Sequence, residues 1–298
     1  MGLETQSPGW EWFYIALYFY IGGVSAGAFF IGSLAELLGG EKHRPISAIA
    51  YLVSFPLILV TPLLLIADLG QPLRFWHLFL YRGIPYVNLL SPLSVGSWAL
   101  LVFAAFSLLA FLDTLVASGR LKAAPFARLY NRVPRKVFAV IGSVMGFFVA
   151  GYTGVLLNMT ARPLWAATDP WLGVLFIASA GSTGAALIVL VMVAQRKLAS
   201  EAYAPLERFD RAAMIAELVL IGVMLALAGS AAAPLIRGPY AVLFWVGVVA
   251  LGVLAPLALN GYAQLRPAGR AGIVTVAAVL ALLGGAVLRI SLVVAGQV

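Results

Sequence analysis

Eight long apolar runs divide this 298-residue sequence, and they constrain its fold more than any other feature. Each run is long enough to cross a bilayer as a helix, since roughly 20 apolar residues span the hydrocarbon core. Isolated strands cannot satisfy their backbone groups in lipid, and no run shows the alternating pattern of a barrel strand. The sequence therefore predicts an all-α integral membrane protein with eight transmembrane helices. They are expected at about residues 11–38, 46–67, 91–117, 136–159, 170–194, 211–231, 239–263 and 271–296.

The composition agrees with a membrane protein and excludes several kinds of site. Charged residues make up 10% of the chain, whereas a soluble domain is about 25% charged. The chain has no cysteine, which excludes a thiolate-held iron–sulfur cluster, a cysteine-ligated zinc ion and a cysteine nucleophile. His43 and His77 fall in loops on opposite sides of the membrane, which argues against a haem held between spans. We therefore expect no haem, metal ion or iron–sulfur cluster in this chain.

Lysine and arginine are distributed unequally between the two sets of loops. One set holds 14 of them and the other holds 4, which matches the cytoplasmic excess of basic residues in membrane proteins. The net charge of +8 then reflects orientation rather than nucleic-acid binding, and both termini are expected outside the cytoplasm. The basic-rich set is Lys42, Arg44, Arg120, Lys122, Arg128, Arg132, Arg135, Lys136, Arg196, Lys197, Arg208, Arg211, Arg266 and Arg270. The other set is Arg74, Arg82, Arg162 and Arg237.

The loop between the fourth and fifth spans divides the chain into two sets of four spans. We therefore expect two four-helix bundles, over residues 1–168 and 169–298. Between the second and third spans, residues 71–83 are too short and too polar to cross a membrane. Pro72 at the start, Gly83 at the end and several aromatic residues favour a short interfacial helix on the outer side.

Ionisable and hydroxyl-bearing side chains concentrate near the outer ends of the spans. Such groups are rare in lipid and mark either function or pairing. A tyrosine hydroxyl or a histidine nitrogen can donate to a quinone carbonyl, and a carboxylate can relay the proton that quinol oxidation releases. The alternatives are an aromatic belt for two of the tyrosines and a structural ion pair for the aspartate. The outer group is Tyr14, Tyr18, Tyr152, Asp68, Arg74, His77 and Arg289.

Three acidic residues lie nearer the cytoplasmic ends of their spans. They are Glu36, Asp113 and Glu217, and together with Asp68 they are candidates for proton transfer. The simpler interpretation is that Glu36 and Asp113 are solvated or paired with loop arginines.

Five segments carry short polar or glycine-rich motifs in and beside the spans. They are residues 20–28 (YIGGVSAGA), 67–77 (ADLGQPLRFWH), 91–98 (SPLSVGSW), 151–154 with 158–165 (GYTG and NMTARPLW), and 288–297 (LRISLVVAGQ). In this order, and with eight spans, the sequence resembles the NrfD/polysulfide-reductase family of membrane subunits.

The resemblance implies a subunit with no metal cofactor of its own that exchanges electrons with a diffusible quinone, either menaquinone or ubiquinone. It also implies an iron–sulfur ferredoxin-like partner and, through it, a molybdopterin catalytic subunit on the outer face. The family's quinone-site tyrosine in the fourth span corresponds to Tyr152. Where the polysulfide-reductase type has Asn and His in the first span, this protein has Tyr14 or Ile15 and then Tyr18.

The remaining outer positions follow from the same resemblance. Asp68 and His77 match the second motif, which lies close to the quinone pocket and the iron–sulfur partner in the family. Arg82, Arg162 and Trp165 are candidates for docking the partner, and contact with lipid headgroups is the alternative for the arginines.

Three functional hypotheses stay open at this point. The first is a quinone-binding membrane anchor of a respiratory oxidoreductase, without catalysis of its own, in the cytoplasmic membrane of a bacterium or archaeon. The second is a structural anchor without quinone chemistry, and the third is a transport or proton-translocating module. In the first hypothesis, electrons flow either from quinol to a reductase or from a dehydrogenase to quinone.

Overall fold

The computed structural model describes residues 12–121, 135–266 and 269–298. Within these ranges eight helices are long and apolar enough to cross a membrane, which confirms the predicted helical class and number of spans. They are α1 Trp12–Gly39, α2 Arg44–Asp68, α3 Pro92–Ala117, α4 Arg135–Asn158, α5 Trp171–Ala194, α6 Tyr203–Ala228, α7 Leu243–Leu265 and α8 Arg270–Ala295. Three residues of the basic-loop prediction, Lys122, Arg128 and Arg132, lie outside the described residues.

Helix α1 is the central element of the fold. It packs against α2, α4, α5 and α8, and so contacts helices from both halves of the chain. Small residues allow the closest of these approaches, because a Cβ added at Gly27 would overlap the backbone carbonyl of Ala180 on α5. Such contacts are the usual means of holding helices together in lipid, where apolar burial alone provides little driving force.

The segment between α2 and α3 differs from its prediction. A 3₁₀ helix covers Pro72–Leu78, but the second half of the expected helix is a small hairpin of β1, Leu80–Tyr81, and β2, Ile84–Pro85. Arg82 and Gly83 form the turn with φ of 52° and 81°. Two consecutive positive φ angles are typical of a tight hairpin turn, which glycine favours.

Two spans also differ from their predicted form. Helix α6 begins at Tyr203, eight residues before the predicted start, because its first two turns carry charged residues that an apolar-run search rejects. Helix α7 is π-helical over Leu243–Leu254 and α-helical over Ala255–Leu265. The earlier start of α6 has consequences for the buried acids described below.

Candidate functional site

A cavity of about 520 Å³ lies between the start of α3 and the second half of α4. Two leucines at its rim, Leu89 and Leu90, are 80% and 95% exposed, so the cavity is reached from the surroundings of the protein. Among the residues that line it, only Tyr152 carries a polar side-chain group. The lining consists of Leu89, Leu90, Pro92, Val95, Phe147, Phe148, Gly151, Tyr152, Val155, Met159 and Ile177.

Tyr152 is held in a defined position in this cavity wall. Its hydroxyl donates to the backbone carbonyl of Pro92 at 2.6 Å, and its ring stacks on Phe148 with the centroids 5.7 Å apart. The ring passes close to Gly96 of α3, where an added Cβ would overlap it. The glycine therefore makes room for the tyrosine, and the hydroxyl oxygen keeps its lone pairs for a further hydrogen bond.

A second apolar cavity adjoins the first. It measures about 310 Å³ and shares Phe147 and Ile177 with the Tyr152 cavity. Alanine and glycine residues of α1, α4, α5 and α6 form most of its wall. Phe147 and Ile177 are therefore a wall common to the two cavities.

Arg289 does not belong to the Tyr152 cavity, although the sequence placed both in one outer group. Its side chain is 1% exposed and donates to the hydroxyl of Ser179 and to the carbonyl of Phe176, the latter at 3.3 Å. The guanidinium carbon also lies 4.8 Å from the centre of the Phe176 ring. Arg289 therefore faces α5.

Glu217 lies close to Arg289 rather than at the inner end of its span. The Ser182 hydroxyl donates to its carboxylate at 2.9 Å, and the carboxylate also interacts with Ser179. Because α6 begins at Tyr203, Glu217 is 14 residues into the helix, or roughly 21 Å at 1.5 Å per residue. The serines of α5 thus join two ionisable residues that the sequence analysis assigned to opposite sides.

Sequence analysis missed further buried ionisable groups on the same face of α6. Glu207 is 5% exposed and Asp210 is 4% exposed. Arg270 forms an ion pair with Glu207 at 3.1 Å, and the Asn260 amide donates to Asp210 at 3.2 Å. The spacing of three and seven residues from Glu207 to Asp210 to Glu217 is the helical signal that would have revealed this face.

The polar interior of the first three helices contains hydroxyl groups instead. The Ser54 hydroxyl lies 3.1 Å from the Ser25 hydroxyl and 3.2 Å from the Ser107 hydroxyl. Nearer the other end of α1, the Tyr51 hydroxyl donates to the half-buried Glu36 at 2.6 Å. Asp113 is half-buried on α3. The three inner acids of the sequence analysis therefore lie on three different helices, α1, α3 and α6.

Comparison with known protein families gives a match over nearly the whole sequence. The family model described as polysulphide reductase, NrfD, matches residues 3–298. The protein belongs to the NrfD family.

Three curated proteins are similar to this one in sequence. A polysulfide reductase subunit of Wolinella succinogenes is 29% identical, over 97% of this protein and 94% of its own length. The NrfD homolog of Haemophilus influenzae is 27% identical, over 98% and 96%. The integral membrane subunit of menaquinone reductase from Nitratidesulfovibrio vulgaris is 26% identical, over 59% and 42%. As a member of this family with eight membrane-length helices, the protein is an integral multi-pass membrane protein.

The first-span tyrosines of this NrfD-family protein lie outside the cavity lining. Tyr18 is 1% exposed and belongs to the same apolar core as Tyr152. Tyr14 is half-buried one turn earlier, with its ring 5.7 Å from that of Phe13.

The residues of the second NrfD motif lie at and beyond the end of α2. Asp68 is half-buried as the last residue of that helix. Arg74 and His77 are exposed in the 3₁₀ helix, where the His77 ring stacks on Trp76 with the centroids 3.7 Å apart. None of these three side chains lines the Tyr152 cavity.

The three candidates for partner docking have different surroundings. Arg82 is exposed at the hairpin turn. Arg162 donates to the carbonyl of Gln297 at 3.3 Å. Trp165 is 2% exposed, and its indole donates to the carbonyl of Leu292 at 2.8 Å. Because its side chain is buried against α8, Trp165 fixes the α4–α5 connection instead of facing a partner.

The described parts of the protein contain no group of three or more histidine, aspartate or glutamate side chains arranged to hold a metal ion.

Proposed function

We propose that this protein is the membrane anchor and the quinone-binding subunit of a respiratory oxidoreductase complex. The observation that carries the proposal is the Tyr152 hydroxyl at the wall of an otherwise apolar cavity with an exposed rim. Binding sites for small apolar ligands combine such walls with a few placed polar groups. Membership of the NrfD family, and a relative named as a menaquinone reductase subunit, support the assignment.

The geometry of Tyr152 explains how the site would hold a quinol. The hydroxyl proton already points to Pro92 at 2.6 Å, so the oxygen accepts a hydrogen bond from a quinol hydroxyl. For a quinone, the tyrosine proton must turn from Pro92 to the quinone carbonyl. The adjoining cavity behind Phe147 and Ile177 accepts the first part of the isoprenoid tail.

The electrons have to leave or enter through another subunit in this proposal. Oxidation of one quinol releases two electrons and two protons, and we assign the electrons to an iron–sulfur ferredoxin-like subunit. A molybdopterin subunit beyond it would carry the substrate chemistry. Arg82 and Arg162 are the proposed docking side chains. Asp68 at the end of α2 and His77 in the connection to α3 are the proposed groups for proton release.

The distribution of basic residues supports the proposed sidedness. With 14 lysines and arginines on one set of loops and 4 on the other, both termini lie outside the cytoplasm and the Tyr152 cavity lies toward the outer face. The cytoplasmic membrane of a bacterium or archaeon fits this arrangement. We further propose that residues 1–168 and 169–298 form two four-helix bundles.

The experiment that tests this proposal removes the hydroxyl oxygen of Tyr152. Tyr152→Phe keeps the ring but loses its hydrogen bond to the ligand, which is worth about 1 kcal/mol. We expect the affinity of the purified complex for a quinone analogue to fall about fivefold, measured by fluorescence quenching. Val155→Phe, which fills the cavity, is expected to reduce binding further.

Tyr86→Phe is the matched control, because Tyr86 is exposed and lies outside the cavity lining. If both cavity variants bind the analogue as the wild type does, the quinone site is elsewhere. A complex that assembles but shows no binding even in the wild type would favour the structural anchor.

A further inference from the structure

Another cavity, of about 320 Å³, opens where α2 begins and where α3 and α5 end. Three exposed cationic side chains line it, those of Arg44, Arg120 and Lys197. None of the described residues in its lining is acidic. All three cations belong to the basic-rich set of loops, so the cavity lies at the membrane boundary that carries the excess of positive charge.

Two neighbouring helices end in the same backbone motif, and each motif brings a cation to this cavity. At the end of α3, the backbone amide of Arg120 donates to the carbonyl five residues earlier at 3.0 Å, around Gly119 with a φ of 71°. At the end of α5, the backbone amide of Lys197 does the same at 2.8 Å, around Arg196 with a φ of 55°. This hydrogen bond and the positive φ define a Schellman motif. The helix ends therefore fix where both cations stand.

The charged part of the cavity is suited to a phosphate group. Neither Arg120 nor Lys197 forms an ion pair within the described ranges, and the exposed amide of Gln195 lies in the same wall. Guanidinium, ammonium and carboxamide groups all donate hydrogen bonds, and phosphate oxygens accept them from all three. This end of the cavity therefore favours a negatively charged phosphate.

The remainder of the cavity contains an apolar strip that runs into the membrane. Ala48 and Leu52 follow Arg44 by four and eight residues, so they share one face of α2 with it, and both line the cavity. Leu52 lies about 12 Å further along the helix than Arg44, at 1.5 Å per residue. A free phosphate ion has no group to contact such a strip. A phospholipid carries acyl chains next to its phosphate and matches both parts.

We propose that this cavity binds an anionic phospholipid. Its phosphate is held by Arg44, Arg120 and Lys197, and one acyl chain lies along Ala48 and Leu52. Basic pockets between transmembrane helices on the cytoplasmic side bind anionic lipid headgroups. A zwitterionic headgroup would bring its own ammonium beside three cations, which like-charge repulsion disfavours.

The bound lipid would join the ends of α2, α3 and α5, and so connect helices from both halves of the chain. The proposal does not depend on the quinone reaction, because this cavity and the Tyr152 cavity have no lining residue in common.

Lipid binding to the purified complex tests the site. The complex is stripped of lipid in a neutral detergent and titrated with phosphatidylglycerol, and native mass spectrometry measures the dissociation constant of the tightest site. We expect the wild type to retain phosphatidylglycerol that phosphatidylcholine does not replace. Arg120→Gln/Lys197→Gln should weaken this binding at least about tenfold, which corresponds to about 1.4 kcal/mol.

Arg196→Gln/Arg208→Gln is the matched control. Both arginines are exposed, belong to the basic-rich set and lie outside the cavity lining, and the variant loses the same net charge. Its affinity for phosphatidylglycerol should equal that of the wild type. A tenfold loss in this variant as well would show that net charge governs binding, and would overturn the proposal.

Ala48→Phe distinguishes a lipid from a free anion, because it fills the apolar strip and keeps the three cations. We expect its affinity for phosphatidylglycerol to fall about threefold or more, and inorganic phosphate should not displace the lipid from the wild type. Unchanged lipid affinity in Ala48→Phe, or displacement by inorganic phosphate, would assign the cavity to a small anion and overturn the proposal.

Thermal unfolding of the same samples tests the alternative that the two cations only complement the carbonyls at the ends of α3 and α5. Phosphatidylglycerol should raise the Tm of the wild type and leave that of Arg120→Gln/Lys197→Gln unchanged. A variant that is less stable than the wild type by the same amount with and without phosphatidylglycerol would contradict lipid binding by these side chains.

Discussion

Polar side chains are buried both among the first three helices and around α6, but the two regions bury different chemical groups. Around Ser54, hydroxyl groups of α1, α2 and α3 bond to one another and to backbone carbonyls. Around Glu217, carboxylates and a guanidinium are buried among α5, α6 and α8. Burying a hydroxyl group costs little free energy once the group is hydrogen-bonded. Burying a charged group costs several kcal/mol even when the charge is paired. The difference suggests that the hydroxyls hold helices together and that the charges are kept for function.

The largest expected effect follows from removing the buried guanidinium. Arg289→Leu leaves Glu217 without its positive neighbour, and we expect the free energy of unfolding to fall by about 3–5 kcal/mol. Titration of the folded fraction with a denaturing detergent measures this loss. The double variant Arg289→Leu/Glu217→Leu should recover most of the stability, because an apolar pair replaces the charges. A double variant no more stable than the single one would argue against the coupling.

A smaller effect is expected where the two halves of the protein meet. Gly27→Val places side-chain atoms against the backbone of Ala180, and overpacking of this kind costs about 1–3 kcal/mol. Gly222→Val is the matched control, because no atom lies within 4 Å of a Cβ built there. Thermal unfolding of both variants tests the contact. Equal losses would show that helix propensity, rather than the α1–α5 approach, governs the result.

The smallest effect is expected in the hydroxyl cluster. Ser54→Ala removes the hydroxyl that joins Ser25 and Ser107, at a cost of about 0.5–1.5 kcal/mol. The same unfolding measurement applies. A loss as large as that of Arg289→Leu would contradict the contrast between hydrogen-bonded hydroxyls and buried charges.

The eight spans could be predicted because hydropathy is a local property of the sequence, and lipid imposes helices on long apolar runs. The first turns of α6 could not be found in this way, since Glu207 and Asp210 interrupt the apolar run. Their burial depends on Asn260 and Arg270, which lie more than 45 residues away in the sequence. The hairpin at Arg82 was missed because its turn geometry requires positive φ angles at two residues.

The surroundings of the candidate residues also depend on the tertiary structure. Tyr152 was recognised from its motif, but only the fold shows that its hydroxyl is fixed by Pro92 at the wall of a cavity. Trp165 was predicted as a candidate for docking the partner, and Arg289 as a member of the outer quinone group. Each instead makes hydrogen bonds within the helix packing.

By itself, the sequence determined the membrane environment, the helical class, the number of spans and the family, because each of these depends on local composition and short motifs. The tertiary structure alone decided which polar side chains meet. It brought Glu217 and Arg289 together through Ser179, and it kept Tyr152 apart from both. Depth along a helix follows from where that helix begins, and neighbours follow from how the helices pack. Neither the depth of a residue nor its neighbours can be predicted from the hydropathy of a single span.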